Sequence, residues 1–368
     1  MSHIRSLVLS AALLLGGAAS GMPLEEGKFF INGYGRLTTG RSWGGGNVYL
    51  GADEDFGLHD VGSTLMFRAL PTEGLTLNTQ FSFEKSPGST RFAPGVDYAF
   101  AEWAFSDKLR VRVGRNQLPL ALYSEVYDVG TLRPFNYLPQ GTYGGTSIGV
   151  ENYDGAGVTG RIGLPADWML EYDAYAGFLD LKDAASEGCS ATSLCLRSTH
   201  ALGARVALWT PVEGLRVTAS GYASRDPQEV QGENLTRGVA GLGAEYLGEK
   251  LWVRAEFFSL FSEQADTRTG YLEAAYFLTS HWQVAGRVEG SRSWFPEPMP
   301  DNLLTLFRHR EFAAGVNYWF NPNLVIKLSF HNVIGNRFAL PKPSPEGGFV
   351  FPTEPHTRTV SLGTQFSF

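Results

Sequence analysis

The stretch TVSLGTQFSF, residues 359–368, decides the fold class. Bulky apolar positions alternate in it with small or polar ones: Val360, Leu362, Phe366 and Phe368 against Ser361, Gly363, Gln365 and Ser367. A period of two places successive side chains on opposite faces of an extended chain, so the pattern predicts a β-strand with one apolar and one wetted face. The apolar face must meet either a protein core or a lipid.

The same alternation recurs along the chain. It is clear in LTLNTQFSFE (75–84), LWVRAEFF (251–258) and NLVIKLSFH (323–331). Beyond the first 21 residues, no long segment has the 3.6-residue period of a helix. The sequence therefore predicts an all-β protein.

Short and long connections alternate between the predicted strands. Short, turn-rich links are expected at 70–74, 106–108, 164–167, 210–214, 247–250, 279–281 and 321–323. Longer links are expected at 40–60, 85–95, 117–153, 179–199, 225–236, 262–269, 292–308 and 334–356. Fifteen connections join sixteen strands, an even number typical of a transmembrane antiparallel β-barrel with short periplasmic turns and long extracellular loops.

A soluble β-sandwich or propeller would explain the alternation, but it would not explain the asymmetry of the connections. A barrel also removes both exposed sheet edges, because the last strand pairs with the first one, FFINGYGRL (29–37). We therefore expect the apolar face of the strands to meet lipid.

The first 21 residues, MSHIRSLVLSAALLLGGAASG, have the order of a secretory signal peptide. Arg5 supplies a positive start, an apolar run follows, and small residues precede a cleavage point near Ser20 or Gly21. The apolar run is too short to span a bilayer as a helix. We expect residues 1–21 to be removed and residues 22–368 to form the barrel.

The only two cysteines, Cys189 and Cys195, lie in the polar stretch SEGCSATSLCLRS. In an exported chain this pair predicts a small disulfide within one long loop, and two free thiols are the alternative. Their spacing and number exclude a CxxC-type redox or zinc site.

Composition excludes several classes of function. A net charge of −7 gives no electrostatic support for a nucleic-acid partner. No HExxH motif occurs, and no metal ion, cofactor or catalytic centre is expected.

The architecture resembles the sixteen-stranded porins of Gram-negative outer membranes over essentially the whole mature chain. Phe368, at the end of an alternating strand, is similar to the signal that such proteins present to the outer-membrane assembly machinery. The segment VGRNQLPLALYSEVYDVGTLRPFNYLPQ (113–140) looks like part of the phosphate-selective porin O/P-like superfamily. The resemblance implies an inward-folded third loop, contacts with outer-membrane lipid and lipopolysaccharide, and a homotrimer as one expected assembly.

A pore needs a polar lining and a narrow point with a defined charge. Strand parity places about ten cations and nine acids inside the barrel, including Arg36, Glu102, Arg110, Arg112 and Arg254. With the loop at 117–153 as the constriction, the candidate loop residues are Tyr123, Glu125, Asp128 and Arg133. The near-equal charge gives no sign of a dedicated anion channel. Pairing across strands is the alternative role for many of these groups, so both lining the pore and pinning the loop stay open.

The predicted function is passive diffusion of small hydrophilic solutes and ions through a water-filled pore in the outer membrane. One alternative is a substrate-selective porin for an oxyanion such as phosphate, which would require arginines clustered at the constriction. Another is an outer-membrane barrel enzyme, such as a hydrolase with a site assembled from distant strands.

Overall fold

The computed structural model describes residues 22–23, 28–44, 47–85, 92–144, 148, 150–180, 197–227, 234–263, 265–298, 300–343, 349–350, 352 and 354–368. Sixteen long strands dominate it. The first eight are β1 Phe29–Trp43, β2 Gly57–Thr72, β3 Leu75–Lys85, β4 Ala93–Ser106, β5 Leu109–Gln117, β6 Asn152–Gly163, β7 Met169–Asp180 and β8 Arg197–Trp209. The second eight are β9 Leu215–Pro227, β10 Asn234–Leu247, β11 Leu251–Ser262, β12 Asp266–Phe277, β13 Trp282–Trp294, β14 Arg308–Asn321, β15 Leu324–Ile334 and β16 His356–Ser367.

The sheet is a closed antiparallel barrel. Each strand pairs with the next along the chain, and β16 pairs with both β15 and β1. At the closing seam, the backbones of Gly33 and Phe368 exchange hydrogen bonds of 3.0 and 3.1 Å. The rings of Phe366 and Phe368 lie where side chains on Gly35 and Gly33 would stand, so these two glycines let aromatic rings cover the seam. The prediction of a sixteen-stranded barrel is confirmed.

The two faces of the wall differ as the alternation predicts. Leu362 and Phe366 of β16 are both 43% exposed on the outside, whereas Ser361 and Gln365 are almost fully buried on the inside. Exposed leucine, valine and phenylalanine side chains recur on the outer face of the other strands. In a closed barrel, such an outer face fits the hydrocarbon of a bilayer, so the fold agrees with the predicted place in an outer membrane.

Tryptophans at the short-turn end divide between the two faces, as strand parity predicts. Trp103 and Trp282 are 44% and 48% exposed on the outside. Trp252 and Trp319 point inward and pack edge to face against each other, with ring centroids 6.2 Å apart. The outer pair suits an interfacial belt, while the inner pair belongs to a buried cluster with Ala275 and Val325.

All seven short links occur where the sequence predicts them, between consecutive strands. The link between β2 and β3 needs Gly74, whose φ of +81° favours glycine. Two pairs of short strands do not belong to the barrel wall: Val48–Tyr49 pairs with Ala339–Leu340, and Lys342–Pro343 pairs with Phe349–Val350. A further short strand, Met22–Pro23, pairs with β1. The helices are short, at Ser124–Val126, Gly130–Leu132, Gln140–Tyr143 and Asp301–Phe307, and no helix among the described residues is long and apolar enough to cross a membrane.

Candidate functional site

The segment between β5 and β6, residues 118–151, packs against the inner face of the barrel; we call it the lumen loop. It is described except at 145–147 and 149. Its sequence combines apolar side chains with the prolines of LPLALYSEVYDVGTLRPFNYLPQ, so it forms short helical turns rather than strands. Leu118, Tyr123, Phe135 and Ile148 are at most 1% exposed. The loop therefore has an apolar core of its own inside a polar barrel.

Carboxylates on the wall hold the first half of the lumen loop. Glu256 on β11 accepts hydrogen bonds from the Leu122 amide, at 2.7 Å, and from the Tyr143 hydroxyl. Glu273 on β12 accepts a hydrogen bond of 2.6 Å from the Tyr123 hydroxyl. Both acids are buried, and their carboxylate oxygens accept hydrogen bonds from buried donors of the loop.

A buried lysine holds the second half. The Lys327 ammonium on β15 donates hydrogen bonds of 2.6 Å to the carbonyl oxygens of Gly130 and Arg133, and it also contacts Gln365 on β16. Asn136 of the loop donates at 3.3 Å to the Lys327 carbonyl oxygen. The side chain of Lys327 is completely buried, and the oxygens that accept its hydrogen bonds belong mainly to the backbone of the loop.

Behind the lumen loop, the wall carries a row of alternating charge. Directly opposed positions on β9 to β13 are, in order, Arg216, Glu245, Arg254, Glu273 and Arg287. Neighbouring members are joined by ion pairs of 2.5, 2.9, 4.0 and 3.5 Å. All five side chains are at most 7% exposed. Cross-strand pairing therefore accounts for much of the near-equal charge that strand parity places inside.

Two acids at the free edge of the loop face different environments. Glu125 pairs with Arg205 at 2.8 Å and lies 4.0 Å from Arg112. Burial alone would raise the Glu125 pKa, but these two guanidiniums outweigh it and hold the pKa below its ordinary value. Asp128 instead accepts a hydrogen bond of 2.6 Å from Gln80.

Asp128 lies among other acids. Burial first, and then the carboxylates of Glu84, Glu151 and Asp97, raise its pKa from 3.8 to about 7. Gln80 also donates to Asp97 at 3.0 Å, so a single amide links an acid of the loop to an acid of the wall. The edge of the loop thus carries one carboxylate that is firmly charged and one whose charge changes near neutral pH.

Opposite this edge, a cavity of about 270 Å³ lies between residues 125–129 and the inner face of β1 to β5. Its lining mixes aromatic rings, amides and charges, and the members used below are Phe30, Arg68, Asn78, Phe100, Glu102 and Arg112. The described part of the loop is hydrogen-bonded mainly to β8 to β16, and this cavity lies on the side of the barrel that those bonds leave uncovered.

The structure brings together five of the nine pore residues named from the sequence: Glu102, Arg110, Arg112, Glu125 and Asp128 line this cavity. Arg36 lies beside it, paired with Asp60 at 3.1 Å and with Glu84 at 2.8 Å.

The other three lie in packed positions away from the cavity. The Arg254 guanidinium donates to the Tyr123 hydroxyl at 2.7 Å, under the lumen loop. Arg133 is 6% exposed and donates to the Tyr127 carbonyl oxygen at 3.0 Å. These contacts fit pinning of the loop better than lining of a passage.

Arg287 on β13 also holds the loop, because its guanidinium donates to the Tyr137 carbonyl oxygen at 2.8 Å. Sequence reasoning missed the anchoring roles of Glu256, Glu273, Arg287 and Lys327. Parity placed all four inside the barrel, and this is the signal that could have found them, because an inward side chain beside a folded-in loop must contact it. The predicted cysteine pair, Cys189 and Cys195, and the predicted signal peptide lie outside the described residues.

A cluster of histidines and acids on β13 to β15 could offer metal ligands. Ligand atoms of Glu289, His309 and Glu311 lie within 4.8 Å of one another. However, Arg287 already pairs with Glu311 at 2.9 Å, and His331 contacts the same carboxylate at 2.9 Å. The oxygens are therefore engaged, and the neighbouring guanidinium disfavours a cation.

No family model matches this chain, and no curated protein matches it. Solved structures do. The chain is similar to OmpF of Salmonella typhi in complex with daunomycin, with a TM-score of 0.61 and 16% identity over 94% of this chain and all of that one. It is also similar to the anion-selective porin of Comamonas acidovorans, with a TM-score of 0.60 and 12% identity over 93% of this chain and all of that one.

A third similar structure is the trimer form of OmpT, an outer membrane protein of Vibrio cholerae. Its TM-score is 0.55, with 13% identity over 93% of this chain and all of that one. At these identities the likeness concerns the fold. The chain has the sixteen-stranded barrel architecture of outer-membrane porins.

Proposed function

We propose that this protein is an outer-membrane porin that lets small hydrophilic solutes and ions diffuse passively through a water-filled pore. The observation that carries the proposal is the lumen loop, which is anchored on β8 to β16 and leaves a polar cavity along β1 to β5. A charged, partly aromatic lining is what a diffusion channel needs at its narrow point. The similarity in fold to porins supports the same function.

In this proposal, residues 125–129 and the facing wall form the constriction. Glu125 and Asp128 contribute negative charge from the loop, and Arg110 and Arg112 contribute positive charge from β5. The remaining buried charges fix the loop in place. No catalytic step is proposed, because passage through a fixed aqueous lumen lowers the barrier to crossing hydrocarbon without chemistry.

Planar-bilayer recording of the purified, folded protein tests this function. We expect discrete conductance steps in KCl that persist at low voltage, with a reversal potential in a salt gradient that reports ion preference. A folded barrel that inserts but gives no conductance would contradict the proposal. Assays of lipid and peptide hydrolysis on the same sample would separate a channel from a barrel enzyme.

A second candidate, an oxyanion-selective porin, is favoured by the distribution of charge in the cavity. Arg110 and Arg112 share one carboxylate, Glu102, at 3.5 and 2.6 Å. The acids Asp97 and Asp128 lie further toward the long-loop end of the barrel. The resemblance of residues 113–140 to the phosphate-selective porin O/P-like superfamily also supports this second candidate. A reversal potential that favours chloride over potassium, together with block by phosphate, is its test.

We also propose assembly as a homotrimer in the outer membrane, in contact with lipid and lipopolysaccharide. The trimer form of OmpT, a barrel of the same architecture, supports this assembly. Light scattering of the detergent-solubilised protein should give a protein mass three times that of one mature chain, and a monomer mass would contradict it.

A further inference from the structure

One row of inward-facing residues crosses the cavity wall at a single level. Phe30 on β1 is directly opposite Arg68 on β2, Arg68 is opposite Asn78 on β3, and Asn78 is opposite Phe100 on β4. All four line the cavity. Because directly opposed side chains on one face stand about 5 Å apart, the guanidinium of Arg68 is flanked by a ring on one side and an amide on the other.

Arg68 differs from eight other inward-facing arginines of the wall. Each of those eight has a carboxylate partner: Arg36, Arg110, Arg112, Arg161, Arg205, Arg216, Arg254 and Arg287. Arg68 makes no ion pair or hydrogen bond with any residue that the structure describes, and its Nε is buried without a partner. A buried guanidinium nitrogen without an acceptor is costly, so an anionic oxygen arriving here gains a strong charge-assisted bond.

The other arginines that line the cavity have acidic partners. Arg110 pairs with Glu102 and Asp107, and Arg112 pairs with Glu102 and lies 4.0 Å from Glu125. The Arg112 guanidinium also lies over the Phe100 ring, and the distance from its Cζ atom to the ring centroid is 5.5 Å. The row therefore offers one guanidinium without an acidic partner among the described residues, together with two aromatic rings.

We propose that this row, Phe30–Arg68–Asn78–Phe100, is a binding subsite for monocarboxylates that carry an aromatic ring. In this assignment Arg68 holds the carboxylate through its paired N–H groups, Asn78 donates a further hydrogen bond, and the phenyl rings contact the body of the solute. A single free guanidinium matches a single negative charge. The assignment rests on the proposed porin function, because the solute must reach the cavity through the pore.

Benzoate is the probe, with acetate and benzyl alcohol as comparisons that lack the ring or the charge. In planar bilayers with KCl, benzoate should reduce the conductance of the wild-type channel in a saturable manner, at concentrations where acetate and benzyl alcohol have little effect. In Arg68→Gln, the concentration of benzoate for half-maximal reduction should rise about tenfold or more, as expected for loss of a hydrogen-bonded charge partner. In Phe30→Leu, the preference for benzoate over acetate should fall.

Arg161→Gln is the matched control. Arg161 is another inward-facing arginine, but it pairs with Glu171 at 3.0 Å and does not line the cavity, so benzoate reduction should stay as in wild type. Equal effects of benzoate and acetate on the wild type would overturn the subsite without any variant, as would wild-type behaviour of a conducting Arg68→Gln channel. Absence of any KCl conductance would instead overturn the porin function, so the two failures are distinguishable.

Discussion

Replacing Lys327 with methionine should release one half of the lumen loop without opening the barrel. Methionine keeps the length of the side chain and removes the ammonium, which leaves the carbonyl oxygens of Gly130 and Arg133 without their 2.6 Å hydrogen bonds. The backbone of residue 327 continues to pair with Asn317 and Gly363, so the wall stays closed.

The structure sets the size of this effect. Two buried acceptors lose their donor at about 1–3 kcal/mol each, which gives roughly 2–6 kcal/mol against the packed position of the loop. The variant no longer buries an ammonium ion, which offsets part of this cost. We therefore expect the free energy of loop attachment to fall by about 2 kcal/mol. That corresponds to a roughly thirtyfold increase in the fraction of time that residues 130–136 spend detached.

Single-channel recording is the assay. The Lys327→Met channel should show more frequent brief closures and a noisier open state than wild type, and amide hydrogen exchange of residues 130–136 should accelerate. The unheated Lys327→Met protein should still migrate differently from the heated protein on a gel, which would show that the barrel remains folded. Lys250→Met is the control, because it removes the same charge from an exposed short turn. A Lys327→Met channel with wild-type noise, closures and exchange would refute the anchoring role.

Further predictions concern the loop edge and the processed chain. Burial and neighbouring acids raise the Asp128 pKa from 3.8 to about 7, so Asp128 binds its proton more tightly in the attached loop. Loop attachment should therefore weaken as pH rises from about 4 to about 7, and cation preference should grow as the carboxyl group loses its proton near pH 7. Reversal potentials should lose this pH dependence in Asp128→Asn, and an unchanged slope would count against the assignment. Thiol labelling of unreduced, denatured protein should find Cys189 and Cys195 blocked, whereas two labelled thiols would rule out the disulfide. N-terminal sequencing of membrane-extracted protein should begin just after Ser20 or Gly21, and a start at residue 1 would contradict removal of the signal peptide.

The wall of the barrel was predictable because its physics is local. A strand that faces lipid on one side and water or polar groups on the other must alternate, so the parity of TVSLGTQFSF already separates Leu362 and Phe366 from Ser361 and Gln365. The short links were predictable because turn residues also act locally. Gly74, for example, has a positive φ that few residues other than glycine adopt.

The interior was less predictable because its contacts join distant parts of the chain. Parity gives the face of a residue but not its level in the barrel, so it could not show that Arg254 meets Tyr123 beneath the lumen loop. Lys327 binds the loop through backbone carbonyl oxygens, and the pattern of side chains in a sequence gives no information on such acceptors. That Arg68 lacks an acidic partner among the described residues becomes visible only in the structure, because its neighbours across the wall come from other strands.

The most direct test of a water-filled passage along β1 to β5 compares two cysteine substitutions. Asn78→Cys places a thiol in the proposed passage, whereas Thr218→Cys places one on β9, where Thr218 is 9% exposed and faces inward beside Leu122 of the loop. A negatively charged, thiol-reactive methanethiosulfonate added to open channels in a planar bilayer should change the conductance of Asn78→Cys and leave Thr218→Cys and wild type unchanged. A response of Thr218→Cys without a response of Asn78→Cys would contradict this path through the barrel.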